Sequence, residues 1–361
     1  MFEKGVTQKF RWVSKLAIAS LFLCAVATVP PRAAAEEPWD RVAAARYLDS
    51  RAALWSKESK ARRKLSTACL SCHTAVPYLL SRAALAEPSA PAKSLFSDVE
   101  TRVQNWSDAR AWYEENIGPK KPAQSKGAES ILNALVLASR DNAALRPLTD
   151  QAKAALGHMW SQQNPDGNWE WLHFDLIPWE TDGSNYWGAA LAAVASMSVA
   201  DEVSPPAASA SKLRSYLRNG MTAEMGLHNR VALLWAASEW HGLLSKAETA
   251  ELVGAILERQ QRDGGFRPQK SAPWWPAGAS DGYSTAFATF VLQKVDDPRA
   301  VESSARGVGW LERNQQPDGR WDAVSANKDR SGEEAFTRLL MSDAATGFAV
   351  LALTSTVAHL P

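Results

Sequence analysis

The sequence is short of cysteine, tyrosine and net charge, and each shortage closes off a class of function. Three cysteines among 361 residues cannot build a disulfide framework. Lys and Arg number 40 against 39 Asp and Glu, a formal charge of +1, and five of the cations (Lys4, Lys9, Arg11, Lys15, Arg32) fall in the first 35 residues beside a single anion, Glu3. The remainder is slightly acidic and has no electrostatic footprint for nucleic acid. Strand-like alternation of useful length is missing, which points to an all-α fold. A P-loop, a dinucleotide fingerprint and a Ser/His/Asp triad are missing as well. Hydrophobic residues make up 46% and charged residues 22%, so the chain has the means to build a core. Six tyrosines stand against sixteen tryptophans, and thirteen of the tryptophans lie between Trp106 and Trp321.

One apolar run, Leu16 to Val29, stands apart. Lys4, Lys9, Arg11 and Lys15 precede it, and Ala33-Ala34-Ala35 follow it. Basic residues, an apolar stretch and small residues in that order read as a secretory signal over residues 1–35. The run is short for a hydrocarbon layer about 30 Å thick, and Pro30-Pro31 stop it; an uncleaved N-terminal anchor is the competing reading. Cys24 lies inside the run behind Leu23, where a lipoprotein signal would want a small residue, and is expected to leave with the peptide. The mature chain is expected to be soluble and periplasmic, without a transmembrane span.

Three segments repeat one spacing: Gln163, Asp166, Gly167, Trp169; Gln260, Asp263, Gly264, Phe266; and Gln315, Asp318, Gly319, Trp321. Each follows a helix-like segment (154–162, 248–259, 303–314) and precedes one rich in Ala and Thr (185–195, 283–292, 344–353). The spacing implies one helical hairpin per repeat. Asp-Gly ends the first helix because Gly takes the positive φ required there, the aromatic folds back over the helix end, and the Gln amide serves nearby backbone groups. Asp182 or Ser184, Ser280-Asp281 and Ser342-Asp343 stand where N-caps of the second helices belong. Segments 109–138 and 212–240 read as degenerate copies without the Asp-Gly turn, for about five repeats in all.

These motifs resemble the QW repeats of the squalene–hopene cyclase and terpenoid cyclase/prenyltransferase superfamily. Gln-Asn-Pro-Asp-Gly-Asn-Trp at 163–169 and Gln-Gln-Pro-Asp-Gly-Arg-Trp at 315–321 carry the likeness, with Phe266 replacing Trp in the middle copy. The resemblance covers roughly Trp106 to Leu353. It implies an (α/α) toroid, two concentric rings of helices around a cavity that often takes an apolar chain. The chain departs from the family's chemistry: the acid D-x-D-D motif of class II cyclases is missing, and Asp296-Asp297 is followed by Pro298. The zinc ligands of protein prenyltransferases have no counterpart, because Cys69 and Cys72 lie outside the matched region. Terpene cyclisation is therefore disfavoured.

Cys69-Leu70-Ser71-Cys72-His73 is a C-x-x-C-H motif, the attachment signature of c-type haem. Two thiols spaced to meet the two vinyls, and an adjacent His to reach the iron, are what covalent attachment requires. A Cys69–Cys72 disulfide is the main rival in an oxidising compartment; zinc would need two more N or S ligands. Together with the signal, the motif resembles periplasmic c-type cytochromes. Between Thr74 and Gly157 there is no Met and no His, so no distal ligand follows as in a free-standing cytochrome. Met159 is the first candidate for that position, with His158, His173, Met197, Met221, Met225 and His228 behind it; each is more often a packing or surface residue. Pro77, Tyr78, Leu79 and Leu80 are expected to pack on the porphyrin. Glu180, Asp182, Asp281 and Asp343 read as caps or as acids lining a cavity, and Trp187, Trp274, Trp275 and Tyr283 as an aromatic wall or plain core.

The expected organisation is a signal (1–35), a helical haem-bearing extension (36–104) and a toroid (105–361). The expected function is periplasmic electron transfer with a redox partner protein, or haem-dependent oxidation of an apolar, isoprenoid-like ligand held in the toroid. A non-haem toroid binding a lipid or partner, with Cys69–Cys72 as a disulfide, is the alternative.

Overall fold

The computed structural model describes residues 38–61, 66–85, 89–222, 224–268 and 272–355. The signal assigned to residues 1–35, with Cys24, lies outside the described residues. Among the described residues thirteen α-helices follow one another: α1 (Arg41–Ala61), α2 (Ala75–Ser81), α3 (Ala90–Gln104), α4 (Lys121–Ala143), α5 (Asp150–Ser161), α6 (Ser184–Met197), α7 (Ala207–Asn219), α8 (Leu227–Glu239), α9 (Lys246–Leu257), α10 (Gly282–Leu292), α11 (Pro298–Arg313), the single turn α12 (Ala335–Arg338) and α13 (Leu340–Ser355). Among the described residues the only β pairing is two isolated bridges, and no helix is long and apolar enough to cross a membrane.

Sequence pattern decides which ring a helix joins. Every residue of α10 is buried, as an inner helix packed on all sides requires. In α11 the buried residues are Ala300, Ser303, Ser304, Gly307, Trp310 and Leu311, one stripe at helical spacing with solvent on the other side. The inner helices close a ring in the order α2, α4, α6, α8, α10, α13 and back to α2, while α1, α3, α5, α7, α9 and α11 pack outside it. Caps set the outer boundaries: Thr149 accepts from Ala152 N, a capping box joins Ser245 and Glu248, and Asp297 caps α11 ahead of Pro298.

The three Gln-Asp-Gly turns behave alike. Gly167, Gly264 and Gly319 have φ of +99°, +95° and +94°. Trp169, Phe266 and Trp321 are wholly buried, and the two indoles donate to the carbonyls of Met159 (2.7 Å) and Leu311 (2.8 Å). Each Gln amide donates to its own turn glycine and to the start of another outer segment: Gln163 to Ser209 O (3.0 Å), Gln260 to Ser303 O (2.9 Å) and Gln315 to Asp40 O (2.9 Å).

The last of these bonds corrects the expected domain plan. Gln315 also accepts from Asp40 N at 2.7 Å, and a Cβ on Gly319 would stand 2.3 Å from the carbonyl oxygen of Ala43. The final turn thus docks on α1, and α2 lies between α13 and α4 as a full member of the inner ring. Residues 38–361 form one compact unit. Among the described residues there is no separate extension over 36–104, and the ring has six hairpins rather than five. Only the segment over 212–240 has the expected hairpin, α7–α8; 109–138 holds helix α4 alone, since the preceding outer helix α3 ends at Gln104 and residues 105–120 are turns and loop. Packing demands this: five inner helices would leave the apolar flanks of α4 and α13 without a partner.

The cap expectation holds at Asp281, which accepts from Ser284 N at 2.6 Å. It fails elsewhere, since Gly183 precedes α6, and Ser342 and Asp343 lie inside α13.

A thiol–imidazole cluster at the mouth of the ring

The Cys-x-x-Cys-His segment is the approach to α2. The Trp55 indole on α1 donates to Cys69 O at 2.8 Å. The Ser71 hydroxyl accepts from the backbone N–H of Thr74 (3.2 Å) and Ala75 (3.0 Å), which starts the helix. The His73 ring stands edge-on to Trp55, centroids 4.9 Å apart, and tilted to Trp179 at 6.1 Å. Trp55 in turn stacks on Phe336. Both cysteines are thiols, Cys69 buried and Cys72 half-buried.

Burial governs the electrostatics. It lowers the His73 imidazole to about 3, with Arg51 and Arg330 adding to the effect. It raises the Cys72 thiol, as does the charge of Glu180. Glu180 is itself pushed up to about 7 by burial. Cys72, His73 and Glu180 are thus deep in the protein, yet each keeps part of its surface accessible.

Behind His73 runs a chain of hydrogen bonds. Its Nδ1 meets Thr74 Oγ1 at 2.8 Å, and that hydroxyl donates to Asp343 Oδ2 at 2.7 Å. Asp343 also accepts Arg51 through Nε (2.7 Å) and Nη2 (2.9 Å), and the Tyr47 hydroxyl (2.8 Å). Burial pushes the Asp343 carboxyl up, and the Arg51 fork and the two hydroxyls pull it back. With four donors converging on it, it serves as a carboxylate, an acceptor only. Thr74 must then give its one proton to Asp343 and accept from His73, so His73 carries its proton on Nδ1 and leaves Nε2 bare.

The axis of the toroid is closed by aromatic rings. Phe287 and Phe348 centroids lie 4.7 Å apart, Trp187 is 5.7 Å from Phe287, and Trp235 is 5.4 Å from Phe290. Trp187 and Tyr283 belong to this plug, and the Tyr283 hydroxyl meets His228 Nδ1 at 3.1 Å and receives Trp179 Nε1 at 3.2 Å. Above the plug a recess of about 30 Å³ is bordered by His228, Asp281, Tyr283 and Met341. Beside it a cleft of about 350 Å³ opens between Ile177–Gly183 and Gly220–Asn229. Burial raises Asp281 to about 6 and lowers His228 to about 3.

The remaining sequence candidates are scattered. Met159 is wholly buried on outer helix α5 beneath Trp169. His158 stacks on Trp106, and His173 lies near Asp175 and Asp182 at the surface. Met225 borders the cleft, Met197 and Met221 are half-buried, and Trp274 donates to Ser325 O in a mouth loop beside Trp275. Of Pro77 to Leu80, the first two are engaged elsewhere, and Leu79 and Leu80 border a separate pocket beside Arg82 and Phe96. Pro77 packs on Gly347, where a Cβ would come within 2.6 Å, and the Tyr78 hydroxyl bonds Asp49. Tyr47, Arg51, Trp55 and Thr74 escaped the sequence reading. The i, i+4 pair Tyr47 and Arg51 on α1 was the available signal. Among the described residues no group of three or more His, Cys, Asp or Glu side chains could hold a metal ion.

No protein-family model matches the chain. Over 114 residues it is 32% identical to a terpene cyclase–glycosyl transferase fusion protein of Humicola fuscoatra, a stretch that spans 30% of this chain and 8% of that protein. A solved glycosidase variant superposes with a TM-score of 0.52 at 12% identity, covering 87% of this chain and 99% of its own. The type II terpene cyclase MstE of Scytonema does so with a TM-score of 0.49 at 13% identity, covering 88% and 99%. The chain is an all-helical α/α toroid, similar in fold to a glycosidase and, over a short stretch of sequence, to a terpene cyclase fusion protein.

Proposed function

We propose that this chain is an exported c-type haem protein, with Cys69 and Cys72 as thioether anchors and His73 as proximal ligand. These residues would hold the haem at the mouth of the ring, and an apolar ligand would lie against the apolar recess bordered by Leu227, Val231 and Phe287. The observation that carries the reading is the bare Nε2 of His73 next to the partly accessible Cys72. Two residues of the motif fit the group directly. Cys69 is 5% accessible and must turn its sulfur outward by a small movement of the 66–72 segment. Trp55, Phe336 and Trp179 supply flat apolar walls, and Glu180 supplies a carboxyl that holds a proton near neutral pH.

When bound, a c-type haem exchanges one electron, or activates small oxidants if its distal side is open. The chain's own share is to exclude water with the tryptophans, orient His73 through Thr74, and hold a proton on Glu180. Met159, enclosed under Trp169, does not serve as distal ligand in this reading. The chemistry a bound haem would supply is oxidation of a ligand held at the mouth or electron exchange, and a redox partner protein would dock at the mouth loops.

The burial of Cys69 favours a second reading, a toroid that binds an apolar ligand or partner and oxidises Cys69–Cys72 to a disulfide. A pyridine haemochrome spectrum and an intact mass on protein exported with the haem maturation machinery separate the two. The first predicts a c-type spectrum and a mass gain of one haem; the second predicts no haem and the loss of two hydrogens. Carbon monoxide added to the reduced holoprotein should shift the Soret band, and an unchanged low-spin spectrum would show a tight sixth ligand.

A further inference from the structure

We infer that Asp343, acting through Thr74, is the positioning residue that sets the tautomer and orientation of His73. The inference rests on the haem reading for the iron, and on the hydrogen-bond chain alone for the tautomer.

Three elements meet at this point. Tyr47 and Arg51 come from α1, Thr74 from the start of α2, and Asp343 from α13. A salt bridge serving only to seal the ring would be complete with the Arg51 fork. Here Asp343 Oδ1 takes Arg51 Nε and the Tyr47 hydroxyl, while Oδ2 takes Arg51 Nη2 and the Thr74 hydroxyl. Arg51 is fixed in turn by donating to Phe336 O at 2.8 Å, beneath the ring that stacks on Trp55. The carboxylate therefore cannot rotate to release Thr74 without breaking three other bonds. Thr74, bound to an oxygen that only accepts, presents only a lone pair to His73. An imidazole in this setting is held with Nδ1–H toward Thr74 and Nε2 without a proton. Hydrogen bonding of the far nitrogen orients a ligating His and makes it more basic, which lowers the potential of a metal it binds. Tyr47 and Arg51 act on the tautomer only through Asp343.

Thr74→Val leaves the Arg51, Tyr47 and Asp343 bonds in place and removes the link, while Thr74→Ser restores it. Asp343→Asn is the stronger lesion but removes a buried ionic partner and can fail to fold, so Thr74→Val decides. Two readouts are needed on full-length exported protein. The first is the pair of His73 ring nitrogen shifts, read in diamagnetic protein. In wild type and Thr74→Ser they should show Nδ1 protonated, and in Thr74→Val the assignment should move toward Nε2–H. The second is the midpoint potential of the holoprotein, which should rise in Thr74→Val and return in Thr74→Ser. Wild-type His73 protonated on Nε2 overturns the inference, as does a Thr74→Val protein with unchanged nitrogen shifts and potential. If covalent haem is absent, the proposed function fails while the nitrogen shifts still decide the role of Asp343.

Discussion

The two faces of the ring are built by opposite rules. Where inner helices hand the chain back to outer ones, connections are brief: 144–149, 240–245 and 293–297. Where outer helices lead into inner ones the chain wanders, as in 162–183, 258–281 and 314–339. Those long loops carry the Gln-Asp-Gly turns at their roots and Glu180 and one side of the cleft further along, while His73 stands on the same face where the chain enters α2. A rigid ring makes such loops affordable, because the scaffold fixes both ends while the tips vary. The contrast shows that the repeat motif and the candidate site are separate layers of one face, the turns holding helices and the tips holding chemistry.

The layers can be separated by mutation. Trp321→Ala and Trp169→Ala should each cost about 3–5 kcal/mol, since each removes a fully buried indole and its hydrogen bond. Urea unfolding measures this, and a loss below about 1 kcal/mol would sink the sealing role. Gly319→Val should fall in the same range, because left-handed strain adds to a collision with the Ala43 carbonyl. Gly278 also has positive φ, +74°, but has open space around it. Gly278→Val should cost only the strain, about 1–2 kcal/mol, so equal losses at the two sites would contradict docking of the last turn on α1.

Charge burial tests the tips. His228 binds its proton less tightly folded, at about 3 against 6.5, so the unfolded chain holds more protons between those values. Stability should therefore fall as pH drops from 6.5 toward 3. Glu180, raised from 4.5 to about 7, works in the opposite sense: the folded state holds the extra proton, and stability should fall as pH rises from 4.5 through 7. Melting temperatures across pH 3 to 8 should show a shallower acid limb in His228→Gln, His73 supplying the rest, and a shallower fall toward neutral pH in Glu180→Gln, Asp281 supplying the rest below about 6. Identical profiles would remove both assignments.

Smaller effects sharpen the contrast. Asn327 bridges two mouth loops by accepting from Ile177 N and donating to Ile177 O, each at 2.9 Å. Asn327→Ala should cost about 1–2 kcal/mol and speed hydrogen exchange at Ile177 without touching exchange in α4. The least change is expected on the brief face. Leu145, 93% exposed with φ of +49°, sits in the α4–α5 connection. Leu145→Gly should be neutral or stabilising by up to about 1 kcal/mol, seen as a small rise in melting temperature with haem content unchanged.

The turns were legible because their chemistry is local. A Gly that must take positive φ, an aromatic two residues on and a Gln three residues before the Asp carry their function wherever the ring lies. Helix class and the inner or outer role followed from burial pattern, as α10 and α11 show. The fate of residues 38–104 was not legible. Nothing in Asp40 or Ala43 marks them as the landing place of Gln315 and Gly319, and ring closure is a contact across almost the whole chain. The Asp343 role was hidden for the same reason. Its sequence neighbours suit an N-cap, while its partners Arg51 and Thr74 come from helices that meet α13 only when the ring closes. Sequence alone determined an all-helical toroid of sealed hairpins and a Cys-x-x-Cys-His motif. Tertiary structure alone decided that the motif opens an inner helix, that aromatic rings plug the axis, and that a buried carboxylate stands behind His73. Short-range geometry is written in spacing, whereas closure of a ring is set by which apolar flanks are left to meet.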